Sequence, residues 1–176
     1  DLVIDAGQLT VVNGPVVAGQ PFALNVTVRN AGTAEAPPFS AVLRAGATMI
    51  TLTFQAIPAG QSMQRTTPAS YTAATATTAY PISVQADSLQ QVAESNETNN
   101  TRSSTIAVLA APKPDLVIEP GDVTIVNGPA VAGKSFAVNL FVRNIGNAPS
   151  GPFTGTVRIS TSTVRLDFQS IAAGQH

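Results

Sequence analysis

The sequence contains no cysteine and no tryptophan, and its only histidine is the last residue, His176. Without cysteine, the chain can form no disulfide, no thiolate nucleophile and no cysteine-based zinc site. A catalytic histidine needs a third group to orient it, and a chain terminus is a poor place for such an arrangement. We therefore predict that the chain is not an enzyme.

Charged residues are also scarce, at 11% of the 176 residues, with 9 lysines and arginines against 10 aspartates and glutamates. Nucleic acid is not an expected partner, because phosphate neutralisation requires a basic excess. No apolar run approaches the roughly 20 residues of a spanning helix, so we expect no membrane insertion in this segment. The chain opens on Asp1 without methionine, which favours a mature or excerpted polypeptide.

The most prominent positive feature is an internal repeat, in which about half of the paired residues are identical. Four segments recur at a spacing of 114 residues: 1–4 and 115–118, 12–15 and 126–129, 28–30 and 142–144, and 59–61 and 173–175. A period of this size matches a whole domain rather than a solenoid unit. The sequence therefore predicts a domain at 1–110, a Pro-containing linker at 111–114, and the N-terminal part of a second, homologous domain at 115–176.

The hydrophobic pattern predicts strands and no helices. Apolar residues alternate with polar or small ones at 22–28, 50–54 and 80–86, which is the period of a half-buried strand. Turns rich in glycine and proline separate these runs. About seven short strands at regular spacing indicate an immunoglobulin-type sandwich. The predicted fold class is all-β, with tandem immunoglobulin-like β-sandwich domains, the second incomplete in this chain.

Residues 87–100 carry three of the ten acidic residues and connect two predicted strands as a hairpin. Carboxylate and amide oxygens suit a hard cation such as calcium, although the spacing is not that of an EF-hand loop. In the alternative interpretation, the Asx side chains hold the turn and the carboxylates only solvate it. The candidate metal ligands are Asp87, Glu94, Asn96, Glu97 and Asn99.

Two further patterns are weaker signals. Asn-x-Thr glycosylation acceptors begin at Asn25, Asn96 and Asn99, in a chain rich enough in threonine and asparagine for chance matches. The dipeptides 29–30 and 143–144 are both Arg-Asn and lie at predicted strand ends. We interpret them as structural, with the arginine packing its stem and the asparagine starting a turn.

Several of these segments resemble CARDB domains, the cell-adhesion-related domains found in bacteria and archaea. The segments are 1–4, 26–32, 58–61, and Asp87 followed by 94–100. The resemblance covers nearly all of the first copy and the first part of the second, which lacks the closing acidic motif. It implies an immunoglobulin-like sandwich, tandem modules in large secreted or surface proteins, and no catalytic residue.

We therefore predict a non-catalytic, extracellular structural or adhesive repeat module at the cell surface, a building block of a stalk or filament. Its partners would be neighbouring copies of itself or adjacent repeats of a longer chain. The incomplete second copy would be completed either by strands further along a repeat array or by strand complementation from another subunit. The alternative function is a ligand- or glycan-binding accessory module of a large secreted protein or hydrolase, which the 5% aromatic content disfavours.

Overall fold

The computed structural model describes residues 1–176 and divides them into two compact units, Asp1–Ala111 (unit 1) and Pro112–His176 (unit 2). Every regular element is a β-strand, which confirms the predicted all-β class. No helical segment has the length and hydropathy that crossing a bilayer demands.

Unit 1 is built from two main sheets. Its strands are β1 (Leu2–Val3), β2 (Leu9–Val11), β3 (Val16–Val17), β4 (Pro21–Phe22), β5 (Leu24–Asn30), β6 (Phe39–Ala45), β7 (Thr48–Phe54), β8 (Ser62–Thr66), β9 (Tyr71–Thr72), β10 (Thr77–Gln85) and β11 (Thr101–Leu109). In the first sheet, β5 pairs with β1 and β2 along one edge and with β8 along the other. The second sheet has the order β3-β11-β10-β6-β7, and β4 pairs with β9 in a separate ribbon.

The core of unit 1 follows from alternation in the central strands. Every second residue of β5 and of β6 is buried, so each strand presents one apolar face to the interior. Phe39 and Phe54 stack with ring centroids 5.0 Å apart, and the fully buried Tyr71 donates its hydroxyl to the Leu43 carbonyl. Each such buried large side chain contributes about 1.5–3 kcal/mol, which makes a core without disulfides sufficient.

Asn30 is a fully buried polar residue at the end of β5. Its Nδ2 donates to the carbonyl oxygens of Ala34 and Ile57, each at 2.8 Å, and its Oδ1 accepts the Gly32 amide at 3.0 Å. One side chain thus satisfies backbone groups of two different turns, which supports the structural interpretation of the Arg-Asn pair.

The neighbouring Arg29 binds Asp5 through its Nε, 2.9 Å from the carboxylate. The hydrogen bond from Arg29 holds the pKa of Asp5 below its usual range, and the positive charge adds to this effect. Both side chains are largely exposed, so this ion pair adds little to stability.

Unit 2 contains three separate strand pairs, β12 with β15, β13 with β14, and β16 with β17. The strands are β12 (Leu116–Val117), β13 (Val123–Ile125), β14 (Val138–Leu140), β15 (Arg143–Asn144), β16 (Phe153–Ile159) and β17 (Ser162–Phe168).

The strand registers of unit 1 recur in unit 2 at the spacing of 114 residues. Leu2 opposite Asn30 becomes Leu116 opposite Asn144, and the β6–β7 register becomes the β16–β17 register. The Asn30 arrangement recurs too, because Asn144 Nδ2 donates to the carbonyl oxygens of Ala148 at 2.7 Å and Ile171 at 2.9 Å. The repeated sequence therefore produces a repeated backbone arrangement.

Candidate metal centre

The acidic loop, residues 86–100, joins β10 to β11, which pair antiparallel as the hairpin interpretation predicts. The Ala86 amide donates to the Asn100 carbonyl at 2.8 Å and closes the base of the loop. Asp87 follows at a positive φ of 44°, a conformation that aspartate adopts more readily than most residues. The chain therefore turns sharply where the loop leaves β10.

Asp87 is the buried anchor of the loop, with 2% of its surface exposed. One carboxylate oxygen accepts the Gln91 amide at 2.7 Å and the other accepts the Val92 amide at 2.9 Å. These two bonds fold the chain back over the carboxylate and fix its position. The buried charge is thereby compensated by hydrogen bonds, as such a group requires.

Glu94 joins the acidic loop to the beginning of the chain. Its Oε2 accepts the backbone amide of Leu2, and its Oε1 accepts Nδ2 of Asn100 at 3.1 Å. The alternative in which the carboxylates only solvate the loop is therefore wrong for Glu94. Nothing in the sequence signals these bonds, because Leu2 lies 92 positions away.

The structure brings Asp87, Glu94 and Glu97 together, with one oxygen of each within 4.8 Å of the others. The first is buried, the second half-buried and the third exposed. Glu97 Oε1 also accepts the Glu94 amide at 3.1 Å, which orders the tip of the loop. None of the three carboxylates forms an ion pair, so a bound cation would relieve their mutual repulsion.

The two predicted asparagine ligands have different surroundings. Asn96 is exposed, and its Oδ1 accepts both the amide and the hydroxyl of Thr98, at 3.0 and 2.7 Å. Asn99 donates Nδ2 to an oxygen of Asp1 at 3.1 Å. Its Oδ1 is the one buried side-chain nitrogen or oxygen without a hydrogen-bond partner.

This donor set fits a hard divalent cation. The three clustered carboxylates supply oxygen ligands of the kind that calcium prefers, and flexible calcium geometry tolerates an irregular loop. Asn99 is the ligand candidate whose oxygen is still free, whereas Asn96 is engaged within its own turn. The sequence offered no means of separating these two residues.

The three candidate glycosylation sites also differ in accessibility. Asn25 lies half-buried on β5, where its Oδ1 accepts the Thr66 hydroxyl. Asn99 uses its amide nitrogen to bind Asp1, whereas Asn96 is exposed at the loop tip. Attachment of a sugar to any of them stays a prediction, with Asn96 the most accessible acceptor.

The comparisons with known proteins concern unit 1. The family model for the CARDB domain matches residues 1–104. The chain belongs to the CARDB family. CARDB is a non-enzymatic domain family, in agreement with the sequence prediction, and no curated protein sequence is significantly similar to this chain.

Two solved structures resemble this CARDB chain. The crystal structure of the CARDB domain of a Pyrococcus furiosus protein, in complex with di-metal ions, is 20% identical with a TM-score of 0.52, over 63% of this chain and 94% of that one. The NMR structure of a domain from Methanosarcina acetivorans, provisionally described as from a cell surface protein, is 21% identical with a TM-score of 0.48. The match to this Methanosarcina domain covers 61% of this chain and 93% of that domain. At this identity the Pyrococcus likeness shows the fold, a CARDB-like β architecture.

Proposed function

We propose that this CARDB chain is a non-catalytic structural and adhesive module of an extracellular surface stalk or filament. The observation that carries the proposal is the repeat of one backbone register, 114 residues apart, in two compact units. Several copies of one domain type joined in a row lengthen a protein without adding any catalytic group. The proposal includes tandem immunoglobulin-like domains, the second incomplete in this chain, and a location outside the cell.

The proposal is tested on the native cell surface. Antibodies raised against residues 1–111 should label extended structures outside the cell in electron micrographs. The native polypeptide, measured under denaturing conditions, should be far heavier than 18.0 kDa if it is a longer repeat array. Labelling confined to the cytoplasm would contradict the structural role.

We further infer that the acidic loop binds calcium through Asp87, Glu94 and Glu97, with Asn99 as an added oxygen ligand. The clustered carboxylates and the unpartnered Asn99 oxygen support this, as do the metal ions in the Pyrococcus CARDB structure. Because Glu94 also holds the Leu2 amide, a bound ion would stabilise the contact between the acidic loop and β1. Calcium would then act as a structural clamp on unit 1.

Glu97→Gln is the variant that tests the metal site. It removes one charge but keeps an oxygen for the Glu94 amide, whereas Asp87→Ala would also break two backbone bonds. A ligand present at 100 times its Kd stabilises the folded state by about 2.7 kcal/mol. Calcium should therefore raise the Tm of unit 1 clearly, and a chelator should reverse the shift.

The matched control is Glu35→Gln, an exposed glutamate of unit 1 outside the loop. Glu97→Gln should weaken the calcium-induced shift in Tm, while Glu35→Gln should leave it unchanged. An identical Tm with calcium and with chelator in the unsubstituted chain would remove the metal proposal.

A further inference from the structure

Strand β7 is an outer strand of unit 1 with an open edge. It is the last strand of the sheet β3-β11-β10-β6-β7 and pairs only with β6, so its other side has no neighbouring strand. In an antiparallel pair, every second residue directs its amide and carbonyl away from the partner. The two-residue turn before Thr48 makes that residue hydrogen-bonded to β6, so the backbone groups of Met49, Thr51 and Thr53 face the open edge.

Nothing in the sequence of β7 discourages a further strand from pairing there. Proteins usually protect such edges with charged residues, proline or a bulge, or keep the edge strand short. β7 runs over seven residues with no charge, proline or glycine, and its register with β6 is unbroken. The other outer strands of the two main sheets differ, because β8 and β11 carry Arg65 and Arg102 and β1, β2 and β3 have two or three residues. β7 is therefore the edge of unit 1 best suited to accept a strand.

Unit 2 carries the protection that β7 lacks. Its equivalent strand, β17, has Arg165 and Asp167 where β7 has Thr51 and Thr53. Arg165 Nη2 donates to the Thr154 hydroxyl at 3.3 Å, and that hydroxyl donates to Asp167 at 3.1 Å. The hairpin thus accepts both charges in the same register, so the fold does not require the uncharged edge of unit 1.

We propose that β7 is a pairing edge for β7 of a second copy of this chain, arranged antiparallel about a two-fold axis at Thr51. Thr51 then lies opposite the Thr51 of the second copy, and Met49 lies opposite its Thr53. Ile50 lies opposite Leu52, and these half-buried residues extend the apolar face of each sheet. This register pairs the outward-facing backbone groups of both strands with one another.

A second copy is favoured as the occupant because the strand is complementary to itself. Antiparallel pairing of β7 with β7 brings no like charges together and places apolar residues opposite apolar ones, which is the arrangement that stabilises cross-strand pairs. Such a contact joins two chains side by side through unit 1 alone. It does not depend on the proposed function.

The absence of cysteine from the chain allows the pairing to be tested with single cysteines. Facing residues of a hydrogen-bonded antiparallel pair have Cα atoms about 5.5 Å apart, within the range of a disulfide. Full-length Thr51→Cys should therefore form a disulfide-linked dimer with a mild oxidant, detected by non-reducing electrophoresis. The matched control is Ser83→Cys, on the same sheet face but on β10, which has a strand on both sides. It should give only the background of random collisions.

Two further cysteine variants test the register. With the two-fold axis at Thr51, Met49 faces Thr53 of the second copy, but each lies about 14 Å from its own counterpart. That distance exceeds the reach of a disulfide. An equimolar mixture of Met49→Cys and Thr53→Cys should therefore give the mixed dimer, whereas each variant alone should stay monomeric.

A charge at the axis should remove the contact. Thr51→Arg, added to both members of the mixture, places two arginines opposite each other and should abolish the mixed dimer. Ser83→Arg adds the same charge to the same sheet face away from the edge and should leave the mixed dimer intact. Because β17 holds Arg165 at the equivalent position, an unchanged Tm of the Thr51→Arg variant would show that it still folds.

The proposal is overturned if Thr51→Cys gives no more dimer than Ser83→Cys, or if the mixture gives no more than either variant alone. Self-association in sedimentation that Thr51→Arg does not weaken would place the contact on another surface and also contradict it. If no disulfide forms through β7 while antibodies label surface structures, this inference falls and the proposed function stands.

Discussion

Asn30→Ala is the substitution whose cost follows most directly from the structure. It removes two donated bonds of 2.8 Å and one accepted bond of 3.0 Å from a fully buried site. At about 0.5–1.5 kcal/mol each, with two carbonyls and one amide left without their partner, the loss is roughly 2–4 kcal/mol. For a domain of this size that corresponds to a decrease in Tm of roughly 10–20 °C.

The assay is thermal and urea unfolding followed by tyrosine fluorescence. Both tyrosines of the chain, Tyr71 and Tyr80, lie in unit 1, so this signal reports on that unit alone. Asn25→Ala is the matched control, because Asn25 lies on the same strand and makes an exposed side-chain bond to Thr66. It should cost well under 1 kcal/mol, in the range typical of surface substitutions.

The reasoning depends on the burial of the Asn30 bonds rather than on their number. If Asn30→Ala lowered the unfolding free energy no more than Asn25→Ala, the side chain would not be holding the two turns. The assignment of the Arg-Asn pair as structural would then fail for unit 1.

Further predictions concern glycine and tyrosine. Gly46→Ala should destabilise unit 1 by about 2 kcal/mol, because φ is +55° and the new methyl group would overlap the Tyr80 hydroxyl. Gly60 has φ +75° and open space around it, so Gly60→Ala should cost only the backbone strain. Equal decreases in the free energy of unfolding for Gly46→Ala and Gly60→Ala, measured in urea, would contradict this account. Burial raises the pKa of Tyr71 to about 12. The contribution of the neutral Tyr71 side chain to stability is therefore complete below its pKa of about 10 in the unfolded chain, and it is lost as pH rises toward 12. Tyr71→Phe should abolish this alkaline loss of stability, and an unchanged profile would refute the assignment.

Alternation was sufficient to predict that unit 1 is all-β, because burial of every second residue is a local property of a strand. Alternation was not sufficient to predict which strands pair with one another. The run 22–28 reads as one strand, yet Pro21–Phe22 pairs with Tyr71–Thr72 while Leu24–Asn30 enters the main sheet. Both parts keep the same alternation, so the division has no signature in the pattern.

In the candidate site, too, the features set by nearby residues were predictable and the contacts with residues far away in the sequence were not. Composition located the acidic loop, and the hairpin connection brought its three carboxylates together. The bond that the Leu2 amide donates to Glu94 spans 92 positions, and the bond that Asn99 donates to Asp1 spans 98, so only the fold brings these groups close. The structural role of Glu94 therefore could not have been derived from the loop alone.

The parallel pairing of β3 with β11, through Val16 with Val108 and Val17 with Leu109, has a mechanical consequence. β1 and β2 precede β3 and pair with β5, whereas β11 lies at the end of unit 1. Tension that has pulled β1 and β2 away from β5 would therefore pull β3 and β11 in opposite directions along their common axis. Such a load shears all hydrogen bonds of the pair at once, including the one from Ala18 to Leu109, instead of opening them one after another. After β1 and β2 have detached, this pair is therefore the contact of unit 1 that opposes further stretching.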